Sequence, residues 1–210
     1  MKVICFDLDG TLTDPKTGIT RSIRYALTEM TGVAPEADDL TWCIGPPLLG
    51  SFEQLLGDKN QATDALKKYR ERFSEIGIFE NDLYPEIADT LRTLIDRKYR
   101  LFVATSKPTV YAKRIVDHFE LAGYFDDVYG SDLDGTRSDK SELLSFLMKT
   151  ADVKPEHAAM VGDRRYDITG ARNNHMRPIG VLYGYGSKTE LIEAGAEAVC
   201  DRPTGLLSLF

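Results

Sequence analysis

Five short apolar runs do most to limit what this chain can become: Val3–Phe6, Leu101–Thr105, Val128–Gly130, Ala158–Val161 and Ile179–Leu182. Each is rich in β-branched, aromatic or other apolar residues and gives way to small or polar ones. Between most of them lie stretches with helical spacing: Pro85–Arg97, Thr109–Phe119, Lys140–Ala151, a short turn around Ile168–Asn173, and Thr189–Ala194. Strands alternating with helices imply βαβ units, right-handed crossovers and a parallel sheet covered on both faces. The expected fold class is therefore α/β.

One connection is out of proportion. From Pro15 to about Leu83 the chain leaves the first strand and returns only at the helix opened by Pro85. Loops without structure of their own rarely exceed ~12–15 residues in a compact domain. This stretch has helical patterns at Ile19–Met30, Ser51–Leu56 and Gln61–Phe73. It reads as a small helical domain, residues 15–83, inserted into a core made of 1–14 and 84–210. The hinges are expected at Thr13–Gly18 and Glu80–Pro85.

With 42% hydrophobic and 28% charged residues over 210 positions, the balance is that of a soluble globular protein. A chain of this size can fold without disulfides or structural zinc. Cys5, Cys43 and Cys200 are odd in number, far apart and without metal-ligand spacing, which reads as inert thiols in a reducing cytoplasm. The net charge of −7 opposes binding to nucleic acid or anionic membranes, though a small basic pocket still suits one anion. A carboxylate at Asp7 comes too early for a signal peptide, and no apolar run approaches ~20 residues.

The strongest chemical signal is Asp7-Leu8-Asp9-Gly10-Thr11, directly after the first strand. Carboxylates two residues apart at a strand end point to the same side, ~6–7 Å apart. That leaves room for a phosphoryl group between a nucleophile and an acid/base. Gly10 allows a sharp turn. It stands fourth from Asp7, whereas an EF-hand loop needs its glycine sixth. The alternative is two solvated loop aspartates. The same five residues recur at Asp132-Leu133-Asp134-Gly135-Thr136, two residues beyond a strand, and we read this copy as a loop near the mouth of the site.

Three further signals follow strands or open helices. In Thr105-Ser106-Lys107-Pro108, hydroxyls and N–H groups suit a phosphate oxyanion, or else form a turn and helix cap. Lys140 opens a helix, where a lone lysine is most often a solvated charge. Asp163 and Asp167 are four apart, so a helical turn would put both on one face. Like charges there cost ~0.2–0.5 kcal/mol unless a cation sits beside them. Mg²⁺ is the natural cation for phosphate chemistry, and Arg164 with Arg165 is the alternative screen. In a parallel sheet, ligands bind beyond the carboxyl ends of the strands, where all four signals gather. His118, His157 and His175 are isolated and read as surface or helix-end residues. Trp42, Phe52 and Phe79 read as packing rather than as a platform for a base. Arg21, Arg24 and Lys59 read as helix-surface charges, with a substrate anion as the alternative.

On these residues the sequence resembles the haloacid dehalogenase superfamily, specifically its phosphatases of the phosphoglycolate phosphatase type. Asp7–Thr11 resembles the first motif, Thr105 the second, Lys140 the third, and Asp163 with Asp167 the fourth. Ile44-Gly45-Pro46-Pro47-Leu48 and Leu182-Tyr183-Gly184-Tyr185-Gly186 are similar to 5′-nucleotidase-like and phosphoglycolate phosphatase-like members. The resemblance implies a Rossmannoid three-layer α/β/α fold with strand one central and a helical cap in the insertion. It implies a Mg²⁺-dependent phosphatase acting on small-molecule phosphate monoesters, phosphoglycolate or 5′-nucleotides, with no nucleic acid polymer or membrane as partner. Asp7 is then the nucleophile and Asp9 the acid/base. Thr105 and Lys140 stabilise the phosphoryl oxygens, and Asp7, Asp9, Asp163 and Asp167 hold the metal. Gly10, Thr11, Ser106, Lys107, Gly45 and Pro46 contact phosphate or substrate. Asp9 argues against a dehalogenase and a phosphonate hydrolase. A sugar phosphomutase and a non-catalytic phosphate-binding module are the alternatives.

Overall fold

A computed structural model describes residues 2–210. The first strand, β1 (Val3–Phe6), is buried along its whole length. Ile4 and Phe6 belong to one core and Val3 and Cys5 to another, because successive side chains of a strand point to opposite faces. That is why four consecutive positions are apolar: helices cover both sides.

From β1 the chain turns into the two-residue β2 (Thr13–Asp14). It then forms α1 (Lys16–Thr31), α2 (Leu48–Leu56) and α3 (Lys59–Phe73) and comes back as β3 (Asp82–Leu83). β2 and β3 pair antiparallel, Thr13 opposite Leu83 and Asp14 opposite Asp82. The two segments expected as hinges thus run side by side. α1 buries Ile19, Ile23, Ala26 and Leu27, and α3 buries Ala62, Ala65, Tyr69 and Phe73, each at helical spacing. Asp58 caps α3 by accepting from the Gln61 N–H at 2.8 Å.

The rest of the chain alternates as expected: α4 (Ile87–Asp96), β4 (Arg100–Pro108), α5 (Thr109–His118), β5 (Asp127–Ser131), α6 (Lys140–Thr150), β6 (Ala158–Gly162), α7 (Arg165–Asn173), β7 (Arg177–Val181), α8 (Lys188–Ala194) and β8 (Ala198–Cys200). The six-stranded sheet has the order β5-β4-β1-β6-β7-β8 and is parallel throughout. β8, with only three half-buried residues at the sheet edge, is not evident in the sequence pattern.

Register decides where the chemistry gathers. Phe6 lies opposite Val103 on one side and Val161 on the other. Asp7, Thr105 and Asp163 therefore leave the sheet at the same edge. β4 differs from expectation in running on to Pro108. Its pairing with β5 slips between Ala104↔Tyr129 and Pro108↔Ser131, so two extra residues bulge on β4. Thr105-Ser106-Lys107 is this bulge rather than a turn and helix cap, and a bulge re-aims side chains. α7 also starts earlier than expected, at Arg165, so Asp163 precedes the helix and does not share a helical face with Asp167.

Candidate active site

Asp7 is anchored where β1 ends, its N–H donating to the Val161 carbonyl at 2.9 Å. The chain then makes a tight turn in which the N–H groups of Leu12 and Thr13 both donate to the Leu8 carbonyl. Gly10 takes φ +83°, and a Cβ there would run into the Asp163 carboxylate. Both the left-handed backbone and the close approach require glycine.

Lys140 sits in the first turn of α6, which Asp139 caps through the N–H groups of Ser141 and Glu142. Its ammonium lies 3.0 Å from Asp7 Oδ1 and 2.8 Å from Asp167 Oδ1, and donates to the Ala104 carbonyl at 2.8 Å. The side chain is only 3% exposed. Gly170 of α7 makes room for it, since a Cβ there would press on Lys140 Cγ. Burial alone would lower the proton affinity of this amine, but Asp167 and Asp7 outweigh it and hold it above the usual lysine range. The lone lysine is thus a buried cation.

Oxygens of Asp7, Asp163 and Asp167 all lie within 4.8 Å of one another, and all three residues are buried. Burial pushes the Asp163 carboxyl well above the usual carboxylate range, and its neighbours Asp167 and Asp7 push it further. Asp167 is pushed up to about 6, by burial first, with Lys140 pulling the other way. When all three carboxyls are ionised, the one ammonium leaves two negative charges uncompensated. Hard oxygen donors with that balance fit a divalent cation such as Mg²⁺. Asp163 is further held by the Tyr185 N–H at 2.8 Å and the Thr11 hydroxyl at 3.3 Å. Asp167 accepts from the Arg164 N–H at 3.1 Å.

Asp9 is the second carboxylate. Its Oδ2 is 2.7 Å from the Lys107 ammonium, and its Oδ1 is buried without a hydrogen-bond partner. Burial raises the proton affinity of Asp9, and Lys107 only partly offsets it. Asp7 and Asp9 both line a cavity of about 280 Å³ with Thr105, Ser106 and Lys107 on the core side. The opposite wall comes from the helical insertion: Gly45, Pro46, Leu48, Leu49, Tyr69 and Phe73. Asp132, Leu133, Asp134 and Gly135 form part of the rim, so the second copy of the pentapeptide is a loop at the mouth, as expected.

Of the residues expected to meet phosphate or substrate, Ser106, Lys107, Gly45 and Pro46 line the cavity. Gly10 and Thr11 instead lie behind it, bracing Asp163. Phe52 is core, while Arg21 pairs with Glu80 and Arg24 with Glu36. Two hydrogen bonds between insertion and core escaped the sequence reading: Arg164 donates to the Ile44 carbonyl, and Arg70 donates to the Leu133 carbonyl at 2.7 Å. Within the core, beside β2, the Tyr185 hydroxyl bonds Asp14 Oδ1. Gly184 and Gly186 press against Asp163 so closely that a Cβ at either would overlap it, and the Gly-Tyr-Gly spacing after β7 was their only signal.

The sequence pattern of the haloacid dehalogenase-like hydrolases matches residues 4–181. This chain belongs to that family. It is 47% identical over 189 residues to a 5′-nucleotidase of Pseudomonas aeruginosa, covering 90% of this chain and 86% of that one. It is 36% identical over 185 residues to the tyrosine-protein kinase PtkA of Mycobacterium tuberculosis, covering 88% of this chain but 63% of that one. Among solved structures, a predicted phosphatase from Clostridium acetobutylicum superposes with a TM-score of 0.96 at 42% identity, over 99% of this chain and 97% of that one. The chain is a phosphatase of that family. Among the described residues, no helix is long and apolar enough to cross a membrane.

Proposed function

We propose that this phosphatase hydrolyses small-molecule phosphate monoesters through an aspartyl-phosphate on Asp7, with Mg²⁺ as cofactor, and that 5′-nucleotides suit it better than phosphoglycolate. The observation that carries the proposal is the convergence of Asp7, Asp163 and Asp167 around Lys140, next to a cavity that Asp7 and Asp9 enter.

A carboxylate oxygen of Asp7 attacks phosphorus, forming the Asp7 O–P bond as the bond to the ester oxygen breaks. Asp9 gives that oxygen a proton, then takes one from the water that hydrolyses the aspartyl-phosphate. Burial keeps the proton on Asp9 more readily than on a solvated carboxylate, which suits an acid. Lys140 balances the carboxylates and, with the Thr105 hydroxyl, stabilises the phosphoryl oxygens. Asp7, Asp163, Asp167 and the Asp9 carbonyl would hold Mg²⁺, which when bound neutralises phosphoryl charge as a Lewis acid. Residues 15–83 act as a cap that excludes bulk water.

The cavity wall favours the nucleotide. Its cap side is largely apolar, with the Tyr69 and Phe73 rings among its residues. Among the described residues the lining cations are Arg70 and Lys107. Lys107 is paired with Asp9, and the carboxylates of Glu53, Asp132 and Asp134 line the same cavity, so acidic groups outnumber cations around the second anionic group of phosphoglycolate. The test is phosphate release from a panel of 5′-nucleotides, phosphoglycolate and sugar phosphates, with Mg²⁺ and with chelator. Release should need Mg²⁺, be fastest with a nucleotide, and vanish in Asp7→Asn. Near-wild-type release by that variant overturns the mechanism. Isomerisation of a sugar phosphate without net release would mean a mutase.

A further inference from the structure

Of the two cations described on the cavity wall, Arg70 and Lys107, only Lys107 touches a residue of the mechanism above, yet that mechanism leaves it without a task. It stands on the bulge of β4, its side chain is 6% exposed, and its ammonium lies 2.7 Å from Asp9 Oδ2. The same ammonium lies 4.6 Å from the centroid of the Phe73 ring. Phe73 is the last residue of α3, in the insertion, stacked on Tyr69 at 5.1 Å and edge-on to Tyr111 of α5 at 5.6 Å. One ammonium is therefore held between a carboxylate of the core and an aromatic face of the cap. A desolvated cation over a ring face is held more strongly than an exposed one.

We propose that Lys107 is a positioning residue for the acid step: it fixes Asp9 by one oxygen, Oδ2, so that the unpartnered Oδ1 carries the proton to the leaving ester oxygen, and Phe73 completes that alignment from the cap. The inference rests on the reading of Asp9 as the acid. In the step concerned, the Asp7 O–P bond forms, the ester P–O bond breaks, and the Asp9 Oδ1 proton moves to the departing oxygen, leaving Asp9 as a carboxylate. Lys107 exchanges no proton. It holds the rotamer of Asp9, which has no other side-chain hydrogen bond. A carboxylate with a free side-chain torsion would present either oxygen, and a misplaced acid loses much of its effect.

The test separates positioning of the acid from contact with phosphate. Phenyl phosphate and 4-nitrophenyl phosphate have nearly the same shape, but nitrophenolate leaves without needing a proton. We compare kcat/KM on both esters for wild type, Lys107→Met, Lys107→Arg and Asp9→Asn, with folding checked by circular dichroism. Lys107→Met should lose about tenfold to a hundredfold on phenyl phosphate and no more than about threefold on the nitrophenyl ester. Lys107→Arg should recover part of that gap, and Phe73→Leu should show a smaller gap of the same sign. Equal losses on both esters in Lys107→Met mean that Lys107 serves the phosphoryl group or the fold, and overturn the proposal. No loss on either overturns it as well. If Asp9→Asn shows the leaving-group gap and Lys107→Met does not, only the positioning role fails. If Asp9→Asn shows none, the assignment of the acid itself fails.

Discussion

Replacing Lys140 by methionine should unfold the metal-free protein far more easily, and more so in mild alkali than in mild acid. Methionine keeps the length of the buried stem but removes an ammonium 3.0 Å from Asp7 and 2.8 Å from Asp167. At an effective dielectric constant near 20, each such contact is an attraction of roughly 6 kcal/mol. Part of this is offset because methionine has no charge to desolvate. Breaking one partner out of a buried ion-pair network costs about 3–5 kcal/mol, which is the loss we expect in chelator at pH 8. Acid should shrink it. Burial already holds Asp163 and Asp167 above the usual carboxylate range, Asp167 at about 6, and the variant loses the cation that restrains Asp167. Groups that bind protons more tightly when folded add stability as pH falls. Lys140 itself, raised in the fold, contributes fully at every pH below the ordinary lysine value, so it adds no slope between pH 5 and 8. Urea unfolding followed by circular dichroism at both pH values measures the gap. A variant as stable as wild type at pH 8, or a deficit that widens toward pH 5, would refute the reasoning.

Two other outcomes follow from close packing and burial. Gly184→Ala places a methyl group against the Gly10 carbonyl and the Asp163 carboxylate, so the Mg²⁺ concentration for half-maximal activity should rise about tenfold to a hundredfold, read by Mg²⁺ titration. Burial raises all three thiols, but Cys5 and Cys43 are fully buried while Cys200 is half-buried, so an aromatic disulfide reagent at pH 8 should modify at most Cys200 quickly in the folded protein. All three should react in denaturant.

The core of the fold was legible because burial on both sides forces whole strands to be apolar, as in Val3–Phe6. The helices showed through their spacing. Edge elements were not: β8 is three half-buried residues, and the two-residue strands β2 and β3 carry no pattern at all. At the site, Asp7, Asp9, Lys140, Asp163 and Asp167 could be found because each lies just after a strand or opens a helix. What could not be found depends on packing between distant segments. The roles of Gly10 and Thr11 as braces for Asp163, and the bond from Arg164 to Ile44, join residues far apart in the chain. The slip of β4 against β5 is a matter of pairing, which one strand's sequence does not reveal.

The antiparallel pairing of β2 with β3 makes the insertion a parenthesis in the chain. Residues 15–81 open and close at one point, with Asp14 facing Asp82, so the sheet's own path is almost uninterrupted. Lengthening a closed loop is cheap, about 0.6 kcal/mol for each doubling. Text between the brackets can therefore be lengthened, shortened or rewritten while the sentence outside keeps its grammar. A lineage built on such a chain is free to exchange what it recognises while the sheet that carries Asp7 keeps its path, provided position 73 still meets Lys107.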